Sequence, residues 1–240
     1  METLRRVLGV AALGSRWIIR QPAWLLQDLF LVAAFAILLW AWGGGYAARS
    51  VVIAWMIAGA WGLGVNMVGQ IVGESRMTGL YGLYVASPLR PAEYLAGIML
   101  SSLLPLPVSV AALTLLACML HAAGLVPAAL AGGLMLLPSS VGLGLAIAMR
   151  VKKPTNIAAV TNPVTLVLTM LPPVFYPLRA LPAALRPLAL LVPTSAAAEL
   201  ARSLAGYLPA YSPQVPALVL AAWDVALVAA ASRLIRWGHE

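Results

Sequence analysis

Six stretches of this chain stay apolar for about twenty residues each, the length of helix that crosses a bilayer core. They run Trp24–Trp42, Val51–Val72, Tyr94–Leu120, Val126–Met149, Thr155–Leu178 and Val215–Ala231. Their apolar character is continuous rather than alternating, so helices are expected and barrel strands are not. Composition agrees: 62% of the 240 residues are hydrophobic and 9% are charged, against roughly 25% charged in a soluble domain. Such a chain cannot cover itself with a polar surface, and an all-α integral membrane protein in a single domain, 1–240, is expected. The first apolar run has the length of a span rather than of a secretory signal, so no cleavable leader is expected.

The formal charge of +8 fits membrane anchoring rather than nucleic acid. With the N-terminus inside, Arg5, Arg6, Arg16, Arg20, Arg76, Arg90, Arg150, Lys152, Lys153, Arg233 and Arg236 are cytoplasmic, and Arg49, Arg179, Arg186 and Arg202 are outside. This eleven-to-four split predicts both termini in the cytoplasm. Trp40 and Trp42 then fall in the outer aromatic belt and Trp24 near the inner one, and Asp28, at the inner end of the first span, can pair with Arg20 or sit among the headgroups.

Residues 1–21 are too polar to span. Leu4, Val7, Leu8, Ala11, Ala12, Ile18 and Ile19 recur near a helical period between arginines, which predicts a helix lying in the inner interface. Residues 73–93 are longer than a turn between two spans requires. Leu80, Tyr81, Leu83 and Tyr84 are expected on one face of a short helix, ended by Ser87-Pro88, and such a helix suits presentation to a cytoplasmic partner.

Soluble catalytic machinery is missing from the pattern. There is no G-x-x-x-x-G-K-[ST] phosphate loop, no H-E-x-x-H and no G-x-S-x-G. His121 and His239 are expected at opposite membrane faces. A lone cysteine, Cys118, gives neither a disulfide framework nor a thiolate metal site. No metal and no cofactor are expected in this chain.

Two motifs carry a family resemblance. "GLYGLYVASPLRPAEYLAG" (79–97) follows Glu74, with Gly79, Ser87, Pro88, Arg90 and Glu93 in order; Gly82 stands where the pattern often has glutamate. "LPPVFYPLRALPAALRPLALLVPTSAAAELARSL" (171–204) has Phe175, Tyr176, Pro177, Leu178, Leu181, Pro182, Pro187, Leu188, Pro193 and Thr194 in order. At these places in a six-span pattern, the chain resembles the membrane subunits of ABC transporters of the type-2 permease family. The resemblance implies that 73–93 is the cytoplasmic coupling segment, with Gly79 to Ser87 docking on a separate cytoplasmic ATP-binding subunit, which would carry the ATP and Mg. It implies that 172–204 is a re-entrant outer pair of helices. It further implies an exporter in the cell membrane, with the pathway formed with a second permease subunit, the same chain or a related one, among membrane lipids.

In the re-entrant segment, Pro172 and Pro173 must kink or end the fifth span. Pro187 is expected to divide the first short helix, and Thr194 or Ser195 to cap the second. Glu199 is expected on a water-facing side, and the arginines near water. Pathway candidates are the amides Asn66 and Gln70, one turn apart among glycines, and Asn162 on the fifth span. Asp224, near the midplane of the last span, reads either as a structural hydrogen bond to a neighbouring helix or as a substrate or proton site. Gly69-x-x-x-Gly73 permits close helix approach. The competing function is an ATP-independent carrier or channel, against which the absence of an internal repeat counts. A membrane-embedded enzyme is weaker still, since Asp224 has no evident catalytic partner.

Overall fold

The computed structural model describes residues 2–19, 23–103 and 106–234, with the side chains of 16–29 left out. The expected pairing of Asp28 with Arg20 and the belt position of Trp24 therefore lie outside the described residues, as do Arg236 and His239. Among the described residues the elements are helices and turns: α1 Glu2–Ile19, α2 Ala23–Gly62, a π-turn Leu63–Met67, α3 Val68–Met77, α4 Leu80–Ala86, α5 Pro91–Ser102, α6 Leu106–Met119, α7 Val126–Arg150, α8 Ile157–Met170, α9 Arg186–Leu190, α10 Pro193–Ala205 and α11 Gln214–Leu234.

Among the described residues, four stretches are long and apolar enough to cross a membrane: Phe30–Met77, Pro91–Met119, Ala123–Arg150 and Gln214–Leu234. The first is not one straight rod. Gly43 and Gly44 leave helical geometry, and Gly44 has φ +66°, the left-handed region where a side chain is strained. The rings of Phe35 and Trp55 lie 6.4 Å apart, whereas a straight helix would separate residues 35 and 55 by about 30 Å. The two arms of α2 therefore fold back on each other at the glycines.

The fifth apolar run differs from its expected bounds. α8 stops at Met170, ahead of the expected Leu178, because Pro172 and Pro173 cannot continue the hydrogen-bond ladder. Its fourteen residues span only about 21 Å. Beyond α8 the chain runs as an irregular strap with one short turn, Leu178–Ala180, and then forms α9 and α10.

At the centre of the bundle is α7, packed on α2, the π-turn, α10 and α11. Glycines permit the close crossings. A Cβ on Gly64 would collide with Ser140 of α7, and one on Gly144 of α7 would meet the Gly64 carbonyl. Gly132 faces the Ala197 carbonyl of α10, and Gly142 faces the Leu227 backbone of α11. Gly69 and Gly73 both face α8, through Thr161 and Ile157. Removing side chains there lets backbones approach and gain dispersion contact, which in lipid replaces the hydrophobic drive.

The two ends of the bundle differ. At one end the α2 glycine bend is tied to later turns: Arg49 Nε donates to the Leu120 carbonyl at 3.2 Å, and the Tyr207 hydroxyl donates to the Tyr46 carbonyl at 2.7 Å. At the other, Arg76 Nη1 donates to the Ala148 and Val151 carbonyls, the latter at 2.9 Å, joining the end of α3 to the end of α7 beside Arg150, Lys152 and Lys153. α1 lies along α5 at this second end, with Val10 against Gly97.

Candidate functional site

Three regions hold the residues singled out from sequence apart from Asp224, which lies between α11 and α7. The first is the turn between α3 and α5. Gly79 takes φ +76°, which reverses the chain between α3 and α4 at a position where other residues would be strained. Tyr84 is buried and half-buried Tyr81 sits beside it; their rings lie 5.5 and 5.9 Å from that of the fully buried Tyr94 on α5. Burial pushes the phenols of Tyr81 and Tyr84 above their usual value.

The expected common face does not hold for Leu83. It is 68% exposed, because at 100° per residue it points about 160° away from Tyr81. The tyrosines face inward onto α5, and Leu83 faces out with exposed Gly82.

The end of the turn is clamped. Ser87 is extended ahead of Pro88, as a pre-proline residue should be, and its hydroxyl donates to the Tyr84 carbonyl at 2.7 Å. Arg90 caps α5, its backbone N–H donating to Glu93 Oε2 at 2.9 Å. Arg6 on α1 closes the clamp: its Nη1 donates to the Pro88 carbonyl at 2.9 Å and stands 3.6 Å from Glu93 Oε2. Sequence reasoning misses Arg6 as a site residue, since an arginine in an amphipathic helix carries no signal of a partner eighty residues on.

The second region is a cleft of about 410 Å³ between the second arm of α2, the π-turn, α3, α6 and α8. It brings together Asn66, Gln70 and Asn162, with Thr165, Thr169 and Ser109 as further polar lining, and Trp55 and Leu113 among the apolar walls. A π-turn inserts an extra residue into the ladder, and such insertions recur at functional sites; here it carries Asn66. Asn66 Oδ1 and Thr165 Oγ1 are buried without a hydrogen-bond partner among the described residues. The sequence points to the amides and misses Thr165, because a threonine in an apolar helix usually satisfies itself on the preceding turn.

Asp224 is not in this cleft. Its Oδ1 accepts from both the backbone N–H, at 2.9 Å, and the hydroxyl of Ser139 on α7. Pro138 interrupts the α7 ladder just before it, and α11 supplies the acceptor.

The third region is the strap after α8. Phe175 stacks on Phe35 of α2 at 4.7 Å, the Tyr176 hydroxyl donates to the Leu171 carbonyl at 3.3 Å, and Pro177 precedes the Leu178–Ala180 turn. The Pro182 carbonyl accepts the Leu185 N–H at 2.9 Å. Pro187 and Pro193 each lie in the first turn of a helix, α9 and α10. Pro187 therefore opens α9 instead of dividing a longer helix, since a first-turn proline costs no hydrogen bond.

α10 is a core helix, buried from Pro193 through Arg202, and this overturns three expectations. Glu199 does not face water: it is fully buried, and its Oε1 accepts the N–H groups of Ala210 and Tyr211, the latter at 2.9 Å. Arg202 is also fully buried, donating through Nη1 to the Pro173 carbonyl at 3.0 Å and through Nη2 to that of Val174. Neither Thr194 nor Ser195 caps α10. Val192 is the N-cap, and the Thr194 hydroxyl donates to the Leu168 carbonyl of α8. One helix face thus pins the strap on one side and the loop after α10 on the other.

Comparison with known families shows that the model of the ABC-2 type transporter family fits residues 16–205. No curated protein matches the chain.

Proposed function

The chain belongs to the ABC-2 type transporter family, and from that premise we propose that it is the permease half of an exporter whose power comes from a separate cytoplasmic ATPase. As a member it is a multi-pass transmembrane component of an ABC transporter. The observation that carries the proposal further is α4. It presents exposed Leu83 at the end of the bundle where Arg76, Arg150, Lys152 and Lys153 collect, on a turn clamped from behind by Tyr94, Glu93 and Arg6. A rigidly backed helix with an outward apolar residue can receive a push and pass it to α5. ATP and Mg bind on the partner, and this chain is not catalytic by itself.

In this reading the chain crosses the cell membrane six times: the two arms of α2, the second continuing through the π-turn and α3, then α5–α6, α7, α8 together with the Pro154–Asn156 turn before it and the start of the strap after it, and α11. The arginine and lysine distribution puts both termini in the cytoplasm. The strap and α10 form a re-entrant outer cap. Its depth is supported by Trp223, whose Nε1 donates to the Leu191 carbonyl at 2.7 Å from nine residues into α11, about 14 Å below its start. The cleft holding Asn66, Gln70 and Asn162 is the chain's share of the translocation pathway, completed by a second copy or a related chain.

The test is ATP hydrolysis by the complex purified from native membranes through a tag on this chain. The wild-type preparation hydrolyses Mg-ATP, and Leu83→Asp yields a stably inserted permease without that activity. Undiminished hydrolysis in Leu83→Asp would remove α4 as the docking helix. Cargo export that persists without any ATPase would favour the ATP-independent carrier.

A further inference from the structure

We infer that the cleft binds a neutral single-chain amphiphile, its hydrogen-bonding head held between Asn66 and Thr165 and its alkyl chain laid in a groove beside α6. This names the substrate class of the proposed pathway and rests on that reading of the cleft.

The head chemistry is set by the polar groups the cleft contains and lacks. Among the described residues no charged side chain lines it, so an ionic head would be desolvated there without a counter-charge from them. Among the described residues, Asn66 Oδ1, on the π-turn, is a buried acceptor without a donor, and Thr165 Oγ1, on α8, is a buried hydroxyl without a partner. Polar atoms left in this state are rare in folded proteins because each forfeits the hydrogen bonds it made in water. A hydroxyl or an amide, which donates and accepts at once, satisfies both walls together. Gln70 and Asn162 line the same cleft and leave room for further neutral polarity.

The chain chemistry is set by a second cavity. A groove of about 160 Å³ lies between the first arm of α2 and α6, walled by apolar side chains apart from Ser109. It shares Trp55, Ser109 and Leu113 with the cleft, so the two meet at these residues. From Ser109 to Met119 it runs beside α6 for about 15 Å. Leu115 and Met119 on its wall are 66% and 72% exposed, so the groove opens sideways to the hydrocarbon around the protein. A polar recess continuous with an apolar channel that opens to lipid has the shape of a molecule with one head and one chain.

The test uses the full chain in lipid nanodiscs, with dodecanoyl ethanolamide brominated along its chain as probe, because bromine quenches a tryptophan it touches. Saturable quenching is expected in the wild type, and Trp55→Phe should lose that saturable part. Asn66→Leu combined with Thr165→Val should raise the half-saturation concentration about tenfold, as the loss of two neutral hydrogen bonds to the head requires. Thr165→Ser, which keeps the hydroxyl, should bind like the wild type and shows that substitution there is tolerated. Dodecanoate should not compete. Quenching that rises without saturation, that is unchanged in Trp55→Phe, or that dodecanoate abolishes equally well overturns the inference. So does unchanged affinity in the Asn66→Leu, Thr165→Val variant when its elution profile is that of the wild type, since water would then be serving both atoms. The ATPase is absent from this assay, so a failure here is distinct from a failure of Leu83→Asp to abolish Mg-ATP hydrolysis.

Discussion

Replacing Arg202 by methionine should destabilise the permease severely while leaving the cytoplasmic turn intact. The guanidinium is fully buried on α10 and donates to the carbonyls of Pro173 and Val174, both themselves buried. Methionine fills much of the volume but donates nothing, so two desolvated carbonyls lose their partners at about 1–3 kcal/mol each. Glu199, one helical turn away and equally buried, also loses the nearby positive charge. Breaking one member of such a buried set costs about 3–5 kcal/mol, which corresponds to a fall of about 10 °C in melting temperature for a chain of this size. The assay is thermal melting of the detergent-solubilised protein, monitored by its size-exclusion peak. Arg202→Lys should fall between the two, because an ammonium restores charge but cannot fork onto both carbonyls. Adding Glu199→Gln to Arg202→Met should cost less than the sum of the single changes, since the carboxylate is then no longer left without its counter-charge. If Arg202→Met melts within about 2 °C of the wild type, the strap is not held by this arginine and the account of α10 as its anchor is wrong.

Gly64→Ala should cost about 1–3 kcal/mol by overpacking, because the new methyl meets Ser140 where the π-turn crosses α7; an unchanged melting temperature would mean that the crossing is looser than described. Asp224→Asn keeps an acceptor for the Ser139 N–H and should preserve both stability and export. Asp224→Leu removes the acceptor used by both the Ser139 N–H and its hydroxyl and should destabilise by about 1–3 kcal/mol, whereas loss of export in a stable Asp224→Asn protein would reveal a proton or substrate role. In a Cys118→Ser background, a cysteine at position 152 should resist an impermeant thiol reagent added from outside and one at 186 should react; the reverse pattern overturns the six-span orientation.

The outline of the site was legible in the sequence to the extent that it depends on composition. An amide in a span is conspicuous because it is costly there, so Asn66, Gln70 and Asn162 stood out, and the structure brings them to one cleft. Asp224 stood out for the same reason, but its partner did not. Ser139 lies on another helix beside a proline, and nothing local marks it. Tyr81 and Tyr84 announced a short amphipathic helix, yet which face meets the protein was decided by Tyr94, whose ring occupies the space on one side of α4 and leaves Leu83 on the other.

Local chemistry sets the solvent in which this chain folds, its helical character and its main helix breaks. Runs of apolar residues of span length require helices in hydrocarbon, because backbone polar groups there can only be satisfied internally. Pro172 and Pro173 and the glycines at 43–45 end or bend those helices through backbone chemistry that acts wherever they are placed. Which polar groups are buried depends instead on how the helices pack. Glu199 and Arg202 read as water-facing because isolated charges prefer water, but α10 is enclosed by α7, α11 and the strap, and backbone groups of Pro173, Val174, Ala210 and Tyr211 replace part of the solvent, while Glu199 Oε2 and Arg202 Nε have no hydrogen-bond partner among the described residues. A charge's burial depends on whether partners converge on it from distant parts of the chain, and no local pattern of residues encodes that convergence.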